Sequence, residues 1–225
     1  MQNGIVYITF VKNKKAESLK ELRHSVESVK KVHPQLPVTL FTDADPRISS
    51  IDNVQIVDVI GERIKQIYLY DSSYENTLYM DCDTRVVGSI IELFDLMPRF
   101  DIAASIDHMR KFKDTAKTWD RYDAVPDGFS EFAGGIILFR KAPVVSKFFD
   151  LWKTRYKEWC KVSGRFNDQP SFRVSMYESP DLKVHTLPPE YNLRSKKYHN
   201  ITPRIYHNHS LWKNNKADVG GNIWI

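Results

Sequence analysis

Apolar and polar positions alternate between two periods along this chain, and the alternation predicts a run of strands and helices. Gly4-Ile5-Val6-Tyr7-Ile8-Thr9-Phe10 is a short apolar run of the kind that forms a buried strand. Over 16–32, Ala16, Leu19, Leu22, Val26 and Val29 recur at helical spacing. Pro37 to Asp43 reads as a second strand ending in an acid, and Val54 to Ile60 as a third. Residues 61–73 read as a helix, with Ile64, Ile67, Tyr68 and Tyr70 apolar and Lys65 on its flank. Asn76 to Val87 begins as an apolar strand and stops at two carboxylates. A short helix, Ser89 to Met97, precedes a fifth strand over Asp101 to Ile106.

Residues 107–130 break this rhythm. They mix charges with Trp119 and Tyr122 and include Pro126 and Gly128. A loop this long inside a compact domain is usually functional or mobile. Glu131 to Arg140 resumes as a strand. Residues 143–160 place Val145, Phe148, Phe149, Trp152, Tyr156 and Trp159 on one stripe of an amphipathic helix. Phe166 to Phe172 opens another short helix. From Val184 onward the chain is rich in Pro, Tyr and His and reads as irregular structure wrapping back. Strands alternating with helices predict an α/β fold, a mostly parallel central sheet flanked by helices. No repeat or linker divides the chain, so residues 1–225 are expected to be a single domain, whole or cut from a longer protein.

Composition narrows the classes. With 42% hydrophobic residues the chain can build a full core, and 9 Gly and 11 Pro are too few for low complexity. A net charge of +5 favours anionic ligands, but the basic residues are scattered, and nucleic acid is not the expected partner. Two cysteines, Cys82 and Cys160, make neither a disulfide framework nor a zinc spacing. No secretory signal and no bilayer-length apolar run is seen, so a soluble protein with no transmembrane segment, in the cytoplasm, is expected.

The candidate chemistry sits at Asp81-Cys82-Asp83. In an extended segment the two acids share one face, roughly 7 Å apart, while Cys82 turns to the core. Hard divalent cations want oxygen ligands, and open α/β sheets bind ligands at the carboxyl ends of their strands. The competing reading is two solvated acids at a strand end, or caps for the helix near Ser89.

Taken together, these segments resemble the GT-A-fold glycosyltransferases, and within them the glycogenin-like nucleotide-diphospho-sugar transferases. Leu78 to Thr84 is similar to the family's metal-binding D-x-D strand, and Lys65 stands upstream where a basic residue faces the donor. Phe132-Ala133-Gly134-Gly135-Ile136 resembles the N-x-G segment beside the donor sugar, with Ala133 in place of the Asn. Asn167-Asp168-Gln169 is similar to the D-Q at a helix start. Pro203 to Lys213 resembles the terminal segment with a metal-binding His followed by a phosphate-binding Lys. There the usual His-Phe-x-Gly becomes His207-Asn208-His209-Ser210.

The resemblance implies a metal-dependent transfer of a sugar from a nucleotide-diphosphate sugar, a UDP-sugar first, to a glycan, protein or other hydroxyl acceptor. It implies Mn²⁺, or Mg²⁺, held by Asp81, Asp83 and His207, with His209 as the alternative imidazole. It places Thr9, Phe10, Asp43, Lys65, Asp81, Cys82, Asp83, Gly134, Gly135 and Lys213 against the donor, and Asp168 and Gln169 at the reacting sugar. Two other classes compete. A nucleotidyltransferase shares the fold type but needs a Gly-rich basic loop after the first strand, and Val11 to Lys15 has no glycine. The other is a non-catalytic nucleotide- or glycan-binding domain.

Overall fold

The computed structural model describes residues 2–11, 16–57, 69, 71–107, 119–194 and 201–207. Most of the predicted 61–73 helix, with Lys65, lies outside these, as do His209 and Lys213. The apolar runs form seven strands of one sheet: β1 (Asn3–Ile8), β2 (Val38–Thr42), β3 (Asn53–Ile56), β4 (Asn76–Met80), β6 (Ile102–Ile106), β7 (Phe132–Arg140) and β8 (Val184–Leu187). Their order is β3-β2-β1-β4-β7-β6-β8. Four of the neighbour pairs are parallel, and β7 runs antiparallel between β4 and β6. The chain moves outward from β1 through β2 to β3, then returns to place β4 on the other side of β1. The carboxyl ends of β1 and β4 therefore flank a topological switch point, where sheets of this kind open a crevice for ligands.

Both faces are covered, as continuous apolar strands require. Helix α1 (Ala16–Val32) lays Leu22, Val26 and Val29 on Ile5, Tyr7, Leu78, Met80, Ile136 and Leu138. On the other face, α3 (Pro143–Ser163) and α4 (Gln169–Tyr177) pack Phe148, Phe149, Trp152 and Phe172 on Val6, Ile8, Tyr79, Ile137 and Phe139. Each such side chain contributes about 1.5–3 kcal/mol by leaving water. Helix α3 ends at Gly164, whose left-handed φ of 67° turns its N–H onto the Cys160 carbonyl.

Several boundaries differ from the sequence reading. The strand expected to end at Asp81 and Asp83 stops earlier. It breaks after Met80 into a turn and resumes as β5 (Thr84–Val86), so Asp81 and Asp83 lie in a turn and not on one strand face. The Thr84 N–H and hydroxyl both bond the Asp81 carbonyl, which closes that turn. The predicted helix after Ser89 is a 3-10 turn, Ile91–Leu96. In 107–130, residues 108–118 lie outside the described part, but the remainder is not a polar loop. It contains α2 (Asp120–Asp123), and Trp119, Tyr122 and Val125 are buried with Trp159 and Val174. The aromatic rings won over the local charge because Trp119 packs against Trp159 in a tilted pair, with centroids 5.7 Å apart.

The segment after Val184 is also more ordered than its composition predicts. Val184–Leu187 is the edge strand β8, parallel to β6. Ile205–His207 is β9, antiparallel to β5 with Thr84 opposite His207. Backbone bonds from Leu193 to Ile205 and from His207 to Leu193 hold β9 from its other side.

Candidate metal and donor site

The β5–β9 pairing brings the end of the described chain onto the turn after β4. His207 Nε2 lies 3.3 Å from Asp83 Oδ1 and 3.6 Å from Asp81 Oδ2. One ligand atom from each of the three residues falls within 4.8 Å of the others. Two carboxylate oxygens and an imidazole nitrogen can hold one divalent ion between them.

Each ligand is oriented by a neighbour. Asn192 Oδ1 lies 2.8 Å from His207 Nδ1. Accepting the Nδ1 proton fixes the tautomer and leaves the Nε2 lone pair toward the two acids. The Tyr79 hydroxyl, two residues back on β4, donates to Asp81 Oδ1 at 2.5 Å. Below the turn, a relay of hydroxyls runs from Tyr7 through Ser25 and Thr84 to the Asp81 carbonyl, each step 2.7–2.8 Å. Burial pushes the Tyr7 phenol far above its usual range, so it stays neutral. Ser25 and Ser28 are therefore α1's polar contacts with β5, the second accepting from Val86 N–H at 2.9 Å.

The floor of the site is Gly135. Its carbonyl accepts the Asp81 N–H at 2.8 Å. A Cβ there would meet His207 Cε1 at 2.1 Å and Asp81 Oδ2 at 2.8 Å, so no side chain fits. Gly134 is different: a Cβ would meet the Asp168 carboxylate at 3.6 Å, ordinary contact. That places Asp168 beside the residue next to the metal site.

Aromatic donors of α3 fix the segment carrying Asp168. Tyr156 OH bonds the Phe166 carbonyl, Trp159 Nε1 bonds Asn167 Oδ1, and Trp152 Nε1 bonds Ser171 Oγ. Asp168 is the N-cap of α4 by position, yet its side chain makes no capping bond. Gln169, the first helical residue, gives its amide to Asp107 Oδ2 at 3.1 Å, and Arg194 reaches the same oxygen at 3.1 Å. Asp107 and Arg194 carry no local motif, and sequence reasoning missed both.

At the switch point Thr9 follows β1. Its hydroxyl is buried and makes no hydrogen bond among the described residues. Asp43 follows β2, and one of its oxygens accepts Val11 N–H at 2.5 Å, so it shapes the loop after β1. Phe10 packs against the α3-side cluster. Cys82 is half-buried against the α1-side cluster, its Sγ 3.9 Å from the Ile8 carbonyl, which ties the turn to β1. The structure thus brings Asp81, Asp83, His207, Gly134, Gly135 and Asp168 together, and adds Asn192 and Tyr79, for which the sequence offers only isolated polar letters. No helix among the described residues is long and apolar enough to cross a membrane.

No protein-family model and no curated protein matches the chain. Solved structures do. A galactosyltransferase, LgtC, in complex with donor and acceptor sugar analogs is 15% identical with a TM-score of 0.59, over 91% of this chain and 86% of that one. Mouse xyloside xylosyltransferase 1 is 14% identical with a TM-score of 0.62, over 92% and 98%. The glycosyltransferase GlyE of Streptococcus pneumoniae TIGR4 is 14% identical with a TM-score of 0.60, over 91% and 54%. At these identities the likeness is one of fold.

Proposed function

We propose that this chain, which has the GT-A glycosyltransferase fold, is a metal-dependent glycosyltransferase that uses a nucleotide-diphosphate sugar, UDP-linked in the first instance, and a hydroxyl acceptor. The observation that carries the reading is the convergence of Asp81, Asp83 and His207 over a glycine whose Cβ would collide with two of them. Carboxylates alone suit Mg²⁺ or Ca²⁺; an added imidazole suits Mn²⁺ better. A bound divalent ion supplies Lewis-acid stabilisation of the departing diphosphate.

The chain's own residues do the rest. Asn192 and Tyr79 orient two of the ligands. Thr9, with an unmatched buried hydroxyl, offers a hydrogen bond at the crevice where the nucleoside would lie. Gly134 lets a sugar approach β7, and Asp168 offers carboxylate oxygens to its hydroxyls. Gln169 and Asp107 line the next stretch of wall. Lys65 and Lys213 are proposed to neutralise the diphosphate. Fixed dipoles of this kind act without reorganising during transfer.

Titration calorimetry of UDP with and without Mn²⁺ tests the reading. Binding should require the metal and should be lost in Asp83→Asn. Equal UDP affinity with and without Mn²⁺ in the wild-type chain would overturn it. Released UDP from a panel of UDP-sugars would then identify the donor.

A further inference from the structure

A buried polar cluster that the metal site does not use lies behind Gln169. Glu131 immediately precedes β7, and its side chain is wholly enclosed. Its Oε2 accepts the Tyr122 hydroxyl at 2.6 Å and lies 3.5 Å from Arg173 Nε. Arg173, equally buried, donates to the carbonyls of Tyr122, Pro126 and Phe129 and lies over the Tyr122 ring. Arg173 sits one helical turn after Gln169, so both project from the same side of α4. The Glu131 carbonyl accepts the Asp107 N–H at 2.8 Å, and Asp107 in turn holds the Gln169 amide. Glu131 therefore reaches Gln169 by two routes besides the direct effect of the Gln169 side chain on its carboxyl, through Arg173 along the helix and through its own backbone to Asp107.

A cluster of this kind is costly. An apolar side chain of similar volume would generally be as stable or more so, and Arg173 already has three carbonyl acceptors. Glu131 Oε1 has no hydrogen-bond partner among the described residues. A group kept at such cost is better explained by what it aims than by what it stabilises.

We propose that Glu131 is a positioning residue for sugar transfer, holding the first turn of α4 and Asp107 so that the Gln169 side chain keeps one orientation toward the donor sugar. The functional part of this rests on the glycosyltransferase reading above. The groups facing Glu131 are Tyr122 from α2, Gln169 and Arg173 from α4 and Asp107 after β6, with Arg194 beyond Asp107. Burial raises the Glu131 carboxyl to about 7, while Tyr122, Arg173 and Gln169 act to lower it and Asp107 to raise it. The ionised carboxylate is an acceptor only and fits Tyr122 and Arg173. Protonation removes the charge that Arg173 answers and adds a donor to an oxygen that has no hydrogen-bond partner among the described residues. The aligned state is thus the ionised one.

The test follows the side-chain amide resonance of Gln169 in the full chain, assigned by its loss in Gln169→Ala. It should titrate with a midpoint near 7 and stop doing so in Glu131→Gln. In Tyr122→Phe, which removes a bond to the ionised form, the midpoint should move upward; this variant decides the matter if Glu131→Gln does not fold. With Mn²⁺ and whichever UDP-sugar of the panel releases UDP, Glu131→Gln should lose about tenfold in kcat with donor KM within about twofold. A Gln169 resonance indifferent to pH in the wild-type chain, or Glu131→Gln with unchanged kcat, overturns the proposal. If no UDP-sugar is turned over, the glycosyltransferase reading fails, and the resonance still decides the coupling between Glu131 and Gln169.

Discussion

Gly135 and His207 occupy one another's space: a single methyl group on the glycine would sit 2.1 Å from the histidine ring. One residue of the central sheet and one near the end of the described chain are thereby matched atom to atom. Gly135→Ala must push His207 or the β7 backbone aside, at a cost of about 1–3 kcal/mol for such overpacking. The expected result is a lower melting temperature together with at least about tenfold weaker Mn²⁺-dependent UDP binding by calorimetry. Gly134→Ala, with only ordinary contacts to accommodate, should leave both nearly unchanged.

Asn192 holds the tautomer of His207 without touching the metal position. Asn192→Ala should weaken Mn²⁺ affinity about 10–100-fold while leaving all three ligands in place. Titration of Mn²⁺ by electron paramagnetic resonance measures this directly. His207→Ala should lose more, because it removes a ligand.

These two residues mark how far the sequence could be read. Asp81 and Asp83 announce themselves by spacing and by the apolar strand before them, and the wider fold follows from period alone. Their geometry does not: a strand that runs on to both acids and puts them on one face is the natural reading, and only the Thr84 bonds to the Asp81 carbonyl reveal a turn. Asn192 lies in a Pro- and Tyr-rich stretch with no periodicity, and its role exists only because β9 passes beside it. Gly135 was expected to clear space for the donor; it also clears space for His207, a contact between strands remote in sequence. Trp119 and Tyr122 looked like loop residues because local polarity cannot anticipate a partner such as Trp159.

Glu131 makes stability depend on pH with a definite sign. Its folded value, about 7, stands above the ordinary 4.5. The folded chain therefore binds a proton more readily than the unfolded chain, and the stabilisation is fully present below about 4.5 and lost as pH rises through 7. The span is of the order of 3 kcal/mol. Urea titrations across pH 5 to 8 should show the wild-type losing more stability than Glu131→Gln over that interval. Equal slopes would show that the carboxylate does not titrate there.

Truncation after Thr202 removes β9, and Ile205, which is fully buried in the α1-side cluster, goes with it. A tail of irregular structure, as its composition reads, would leave a folded but inactive remnant. The structure instead predicts a loss of stability of about 2–5 kcal/mol from that cavity alone, read by denaturant unfolding. Truncation after His207 should keep the metal triad and its Mn²⁺ affinity.

The β5–β9 pairing also sets an order of events. Asp81 and Asp83 emerge from the ribosome long before His207, and closing so long a loop is paid for in chain entropy before the contact returns anything. The Asp81, Asp83 and His207 group is therefore expected to be among the last features to form. A chain still being synthesised, or one with its end frayed, has two carboxylates but no imidazole, and holds a divalent ion only loosely. On the proposed reading, the grip on a nucleotide diphosphate would come only once the sheet, the turn after β4 and β9 have all closed.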